Sequence, residues 1–158
     1  MSTTSRPSVF FDSSALFAGI VSADGAARSL LLLGEQSLIT IIISEQVVAE
    51  TERAIARKAP RAIALYREAL RAADVRIARD PSIQEVEIHH DIVAHAADIP
   101  IVVAALEAGV EYLVTFNRRH LIDDPGAAQR SGLRIGAPRA ALAWVRERLA
   151  QRDQQANP

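Results

Sequence analysis

The chain has 158 residues, 49% of them hydrophobic and 23% charged, which suits one globular domain with a proper core. Its formal net charge of -1 excludes a general electrostatic pull toward nucleic acid or membrane, and the absence of cysteine excludes disulfides and cysteine–zinc sites. Met1 to Pro7 is polar and no segment nears the ~20 apolar residues of a membrane helix, so a cytoplasmic protein without a membrane partner is expected.

In chain order, Ser8 to Phe11 reads as a first strand. Asp12-Ser13-Ser14 then offers helix caps ahead of Ala15, Leu16 and Phe17, with a stop near Gly19. Asp24-Gly25 opens a second helix, ended by Gly34. Leu38 to Ile43 is a continuous apolar, β-branched run, the pattern of a strand buried on both faces. Ser44 caps a helix from Glu45 to about Lys58, and Pro60 starts another toward Ala73. Val75 to Ala78 reads as a short strand and Ser82 to Ala96 as helix. Asp98 caps a helix with Pro100 in its first turn and Gly109 just past its end. Strands follow at Tyr112–Thr115 and Leu133–Ile135, and a last helix at Pro138 to about Ala150.

Short apolar strands alternating with helices predict an α/β protein, a three-layer α/β/α sandwich around a central parallel sheet. One domain over 8–150 is expected, with flexible termini at 1–7 and 151–158. Ligands of open α/β sheets bind beyond the carboxyl ends of the strands. Asp12 and Asn117 each follow a strand directly, so both fall on that edge. Charge is unevenly spread. The first fifty residues hold two basic and five acidic residues, whereas Arg53 to Arg79 holds eight basic and two acidic ones. An acidic cluster beside a basic stretch fits a site that holds cations and receives a polyanion. The same stretch also reads as a solvated, arginine-rich helical face.

Each candidate has a plainer reading. Asp12 and Asp98 are good helix caps, Thr115 a strand-end residue and Asn117 a turn or cap residue. Glu50 falls on the border of its helix's apolar stripe, near Val47 and Ala54, where a carboxylate can lean into a cleft or stay solvated. His89, His90 and His95 have no helical spacing that makes a zinc site. There is no Gly-x-Ser-x-Gly elbow and no glycine-rich phosphate loop. Trp144 reads as core or as an interface anchor.

The ordered segments Val9-Phe10-Phe11-Asp12-Ser13-Ser14-Ala15-Leu16, Val47-Val48-Ala49-Glu50-Thr51, Asp98-Ile99-Pro100-Ile101-Val102-Val103-Ala104-Ala105-Leu106 and Tyr112-Leu113-Val114-Thr115-Phe116-Asn117 together resemble the PIN-domain family. The resemblance runs from about Val9 to Leu142. It implies a divalent-metal-dependent ribonuclease using Mg2+ or Mn2+, a frequent homodimer, and in many members a toxin paired with an antitoxin protein. By position, Asp12, Glu50 and Asp98 match the family's acidic metal-binding residues. Ser14 and Thr115 match hydroxyl positions lining the site. Asn117 stands where many members have a fourth aspartate, a departure that removes one negative charge. Asp123 or Asp124 is the nearest acidic substitute. Arg118, Arg119, Arg53 and Arg57 are candidates for contact with RNA phosphates. The alternative reading, raised by Asn117, is a catalytically weakened PIN-fold module acting in nucleic-acid or protein binding. A small-ligand receptor on a flavodoxin-like sheet ranks third, for want of a phosphate cradle.

Overall fold

A computed structural model describes residues 5–157. Of the expected flexible ends, residues 1–4 and 158 lie outside the described residues.

Among the described residues, five short strands form one parallel sheet: β1 (Ser8–Phe11), β2 (Thr40–Ser44), β3 (Arg76–Ala78), β4 (Tyr112–Val114) and β5 (Arg134–Gly136). Their spatial order is β3-β2-β1-β4-β5. β1 is central, with Val9 opposite both Ile41 and Tyr112 and Phe10 opposite both Ile42 and Leu113. Val9, Phe10 and Phe11 are wholly buried, as both faces of a parallel strand are under helices.

Eight α-helices among the described residues connect and cover the sheet: α1 (Ser13–Val21), α2 (Ala26–Glu35), α3 (Glu45–Lys58), α4 (Ile63–Ala72), α5 (Ile83–Ile88), α6 (Ile99–Glu107), α7 (Ala127–Ser131) and α8 (Pro138–Ala156). Right-handed crossovers put the connections that step outward from β1 to β2 to β3 on one face. The chain then jumps back past β1 to β4 and steps the other way, which puts α5 to α7 on the opposite face. The three-layer sandwich is therefore as expected. The reversal falls between β1 and β4, where open α/β sheets leave a crevice at the strands' carboxyl ends.

Several local expectations need correction. Gly34 lies within α2 instead of ending it, because the helix runs on to Glu35 with its glycine against the sheet. Leu38 and Ile39 precede β2, which starts at Thr40. The helix expected from Ser82 to Ala96 stops at Ile88. Beyond it the chain bends until a 3-10 turn at Ala96–Asp98, and Ile92 and Val93 are buried from there instead of from a helical stripe. A π-turn at Arg118–Ile122 and α7 fill a stretch for which no element was expected. The last helix continues past Ala150 to Ala156. No single helix among the described residues is long and apolar enough to cross a membrane.

Candidate functional site

Asp12 leaves β1 with its backbone still in the ladder, its N–H donating to the Val114 carbonyl at 3.1 Å. Its side chain then turns into the cap of α1, accepting from the Ala15 N–H at 2.9 Å. Ser14 Oγ donates to the same oxygen at 2.7 Å, and the Thr115 hydroxyl donates to the other one. The plain reading of Asp12 as a cap is thus correct, yet capping occupies one carboxylate oxygen and leaves the other facing Thr115. Thr115 is itself fully buried, fixed by its N–H donating to the Gly136 carbonyl of β5 at 3.0 Å. Ser14 and Thr115, expected to line the site, are bonded to its central carboxylate.

Glu50 reaches the same crevice from α3. Its oxygens accept from Ser13 Oγ at 2.8 Å and Gln46 Nε2 at 2.7 Å. Ser44 places that helix by accepting from the Val47 N–H at its first turn. Asp98 comes from the opposite layer. It occupies the cap position of α6, but its side chain caps nothing, so the expectation of an ordinary helix cap is corrected. The backbone there has already turned helical inside the preceding 3-10 turn, which aims the carboxylate sideways. It lies 3.0 Å from His95 Nδ1 and accepts from Asn117 Nδ2 at 3.4 Å. Asn117 caps the π-turn, its Oδ1 accepting from the His120 N–H at 3.1 Å.

Asp12, Glu50, Asp98 and Asn117 all line one cleft of about 330 Å³, together with Ser13, Gln46 and Phe116. No ion pair of Asp12 or Glu50 occurs among the described residues. Burial pushes the Asp12 carboxyl above the ordinary aspartate range. Hydrogen bonds from Thr115, the Ala15 N–H and Ser14 act against that rise, and the neighbouring charge of Glu50 adds to it. A half-buried carboxylate beside a second one, with no basic partner among the described residues, has the charge and the oxygen donors that a divalent cation requires.

Closer ligand spacing occurs at the cleft's far side. His95, Asp98 and His120 bring one donor atom each within 4.8 Å of one another. The two imidazole rings stack with centroids 4.0 Å apart. His120, Gln46 and Ser13 were missed in the sequence. Gln46 sits one helical turn before Glu50, so helix period alone would have found it. The pairing of His95 with His120 joins two separate connections, one before α6 and one after β4, and has no local signal. His89 and His90 stand apart from this group.

The acidic substitutes fail. Asp123 pairs with Arg118 at 3.3 Å and Asp124 with Arg130 at 3.0 Å, and neither lines the cleft, because both belong to the loop beyond the π-turn. Arg119 is exposed. Arg53 and Arg57 line a second hollow of about 440 Å³ that shares Ser13, Ser14 and Glu50 with the cleft.

Comparison with known proteins bears on this arrangement. A crystal structure of PAE2754 from Pyrobaculum aerophilum is similar in fold, with a TM-score of 0.60 and 18% identity over 93% of this chain and 99% of that one. VapC20 from Mycobacterium tuberculosis, described as a sarcin–ricin loop cleaving toxin, is less similar, with a TM-score of 0.46 and 18% identity over 70% of this chain and 91% of that one. No curated protein sequence matches. A family model described as PIN domain matches residues 8–119, which is most of the chain and contains Asp12, Glu50, Asp98, Thr115 and Asn117. On that match the chain belongs to the PIN domain family, whose members are generally nucleases.

Proposed function

We propose that this chain is a divalent-metal-dependent endoribonuclease whose centre is the cleft of Asp12, Glu50 and Asp98. The observation that carries the reading is a half-buried Asp12 carboxylate, lining one cleft with Glu50 and with no cationic partner among the described residues. Oxygen donors in this number suit Mg2+ or Mn2+. The imidazoles beside Asp98 favour Mn2+, which accepts nitrogen ligands more readily than Mg2+. When bound, such an ion lowers the pKa of water and stabilises charge on a phosphate oxygen.

The chain's own residues have the following parts. Asp12 and Asp98 hold the ion, and Glu50 does so directly or through water. Ser14 and Thr115 fix the Asp12 carboxylate by donating to it, so its oxygens need no rearrangement on binding. Gln46 and Ser13 do the same for Glu50. Asn117 holds Asp98 from the side and orients water or substrate by its amide. Arg53 and Arg57 flank the cleft and receive RNA phosphates, as do Arg118 and Arg119 from the rim. Family kinship also suggests a homodimer, and a toxin role opposite an antitoxin protein.

A second reading keeps the fold and drops the chemistry. It rests on Asn117, whose amide lies against Asp98 and the π-turn and adds no negative charge to the cleft. On this view the chain is a weakened module that binds nucleic acid or protein. Digestion of mixed single-stranded RNA with and without manganese separates the two. Wild type should cleave with metal and stop in excess chelator, and Asp12→Asn should cut the rate at least about a hundredfold while remaining folded. Full activity in Asp12→Asn or in chelator would contradict the nuclease reading. A melting temperature indifferent to millimolar manganese would favour the binding module.

A further inference from the structure

Phe116 stands between two residues of the site, Thr115 and Asn117. Its backbone is pinned: its N–H donates to Ser14 Oγ at 3.2 Å, and its carbonyl accepts from the Arg118 N–H at 2.9 Å. The side chain is nevertheless 50% exposed, while Phe10 and Phe11 are wholly buried. A ring held on fixed backbone at the lip of a cleft is a rigid apolar surface open to a ligand.

The ring is shared by two hollows. On one side lies the acidic cleft. On the other is a groove of about 680 Å³, lined by small and apolar residues such as Ala18, Pro138 and Leu142, with Arg139 and Arg146 on one side and a single carboxylate, Asp24, among its lining. Both arginines are exposed, and neither makes an ion pair among the described residues. The hollow edged by Arg53, Arg57 and Lys58 adjoins the cleft's other flank through Ser13, Ser14 and Glu50. The three hollows therefore make one track, basic at each end and acidic in the middle, with Phe116 at one junction.

We propose that Phe116 is a stacking platform for the nucleobase next to the phosphate in the acidic cleft. This deepens the nuclease reading and rests on it. A base meets an aromatic face only after leaving its own stack, which a single strand allows and a duplex resists. Every base has such a face, so the contact is tolerant of sequence. Arg139 and Arg146 receive the phosphates on the far side of that base. Charge favours RNA over a protein in the groove, because its two arginines outnumber its one carboxylate, Asp24, and because Phe116 joins it to the cleft.

The test uses the full chain carrying Asp12→Asn, so that RNA is held and not cut. A single-stranded RNA carries a fluorescent purine analogue at successive positions, and binding is followed by anisotropy. One position should be quenched on binding. Phe116→Ala should abolish that quench and weaken binding about tenfold, whereas Phe116→Trp keeps both. Arg139→Ala with Arg146→Ala should weaken binding without changing the particle mass. Undiminished binding by Phe116→Ala overturns the proposal, as does a blunt RNA duplex bound equally well with the same dependence on Phe116. A changed particle mass with unchanged RNA binding assigns the groove to a second copy and also overturns it. If Phe116 dependence holds while Asp12→Asn still cleaves, the cleft assignment fails and the platform stands. The reverse pair of results removes the platform alone.

Discussion

Asp12 is where stability and chemistry oppose each other. Burial raises its pKa above that of an aspartate in the unfolded chain, so folding favours the protonated acid. The stability linked to that proton is fully present below the ordinary aspartate range. It is lost as pH rises through the folded-state value. At a pH above that value the metal-free protein carries a partly desolvated charge it would be more stable without. Asp12→Asn keeps the shape and removes the charge, so its melting temperature without metal should exceed that of wild type. The gap should narrow as pH falls through the folded-state value toward the ordinary aspartate range, measured by thermal melts in chelator. Manganese should reverse the order by stabilising wild type alone. A variant that melts below wild type throughout would show that the carboxylate is not strained by burial. At this scale the sequence was informative about identity and poor about direction. The positions of Asp12, Glu50 and Asp98 were legible as junctions. Asp98 looked like a cap, and only the 3-10 turn before it explains why its carboxylate faces His95 and Asn117.

The helices and strands were legible where local chemistry dominates. Ser44 caps α3 as its side chain implied, and the β-branched run after Leu38 does form a strand buried on both faces. Legibility failed where packing overrides propensity. Gly34 read as a terminator, yet it serves as a close contact inside α2. A Cβ there would lie 2.7 Å from Ile41 Cδ1 and 3.2 Å from Ala73 Cβ. Gly34→Ala gains about 1 kcal/mol of helix propensity and loses about 1–3 kcal/mol to overpacking against the sheet. The expected net is a loss of roughly 1 kcal/mol, seen as an earlier midpoint in urea with the slope unchanged. A stabilised variant would mean that Ile41 moves aside freely. The segment after Ile88 was misread for a related reason. Its apolar residues Ile92 and Val93 are buried by the loop that carries His95 toward Asp98, and that loop has no periodicity to read.

For the whole molecule, a net charge of -1 conceals a separation of charge that the fold turns into a track. On the proposed function, binding of RNA would depend on local arginines and respond to salt. Each phosphate contact would add a loss of roughly two- to threefold in affinity between about 50 and about 200 mM salt for a single strand. Arg53→Ala with Arg57→Ala should flatten that dependence, in titrations with an uncleaved RNA. An unchanged slope would remove these arginines from the RNA path. Sequence reading reached the sandwich, the strand-edge location of Asp12 and Asn117 and the basic stretch. It did not reach the groove beside Phe116, because α1, α2 and α8 meet there only through the tertiary fold.

The position of β1 between β2 and β4 also has a consequence for synthesis. A ribosome delivers β2 early, but the strand that flanks β1 on its other side emerges only after most of the chain. Until then Asp12 has no Thr115 hydroxyl and no Asp98 across from it. A nascent fragment that stops short of β4 therefore lacks the assembled cleft, and any chemistry there has to wait for the later strand.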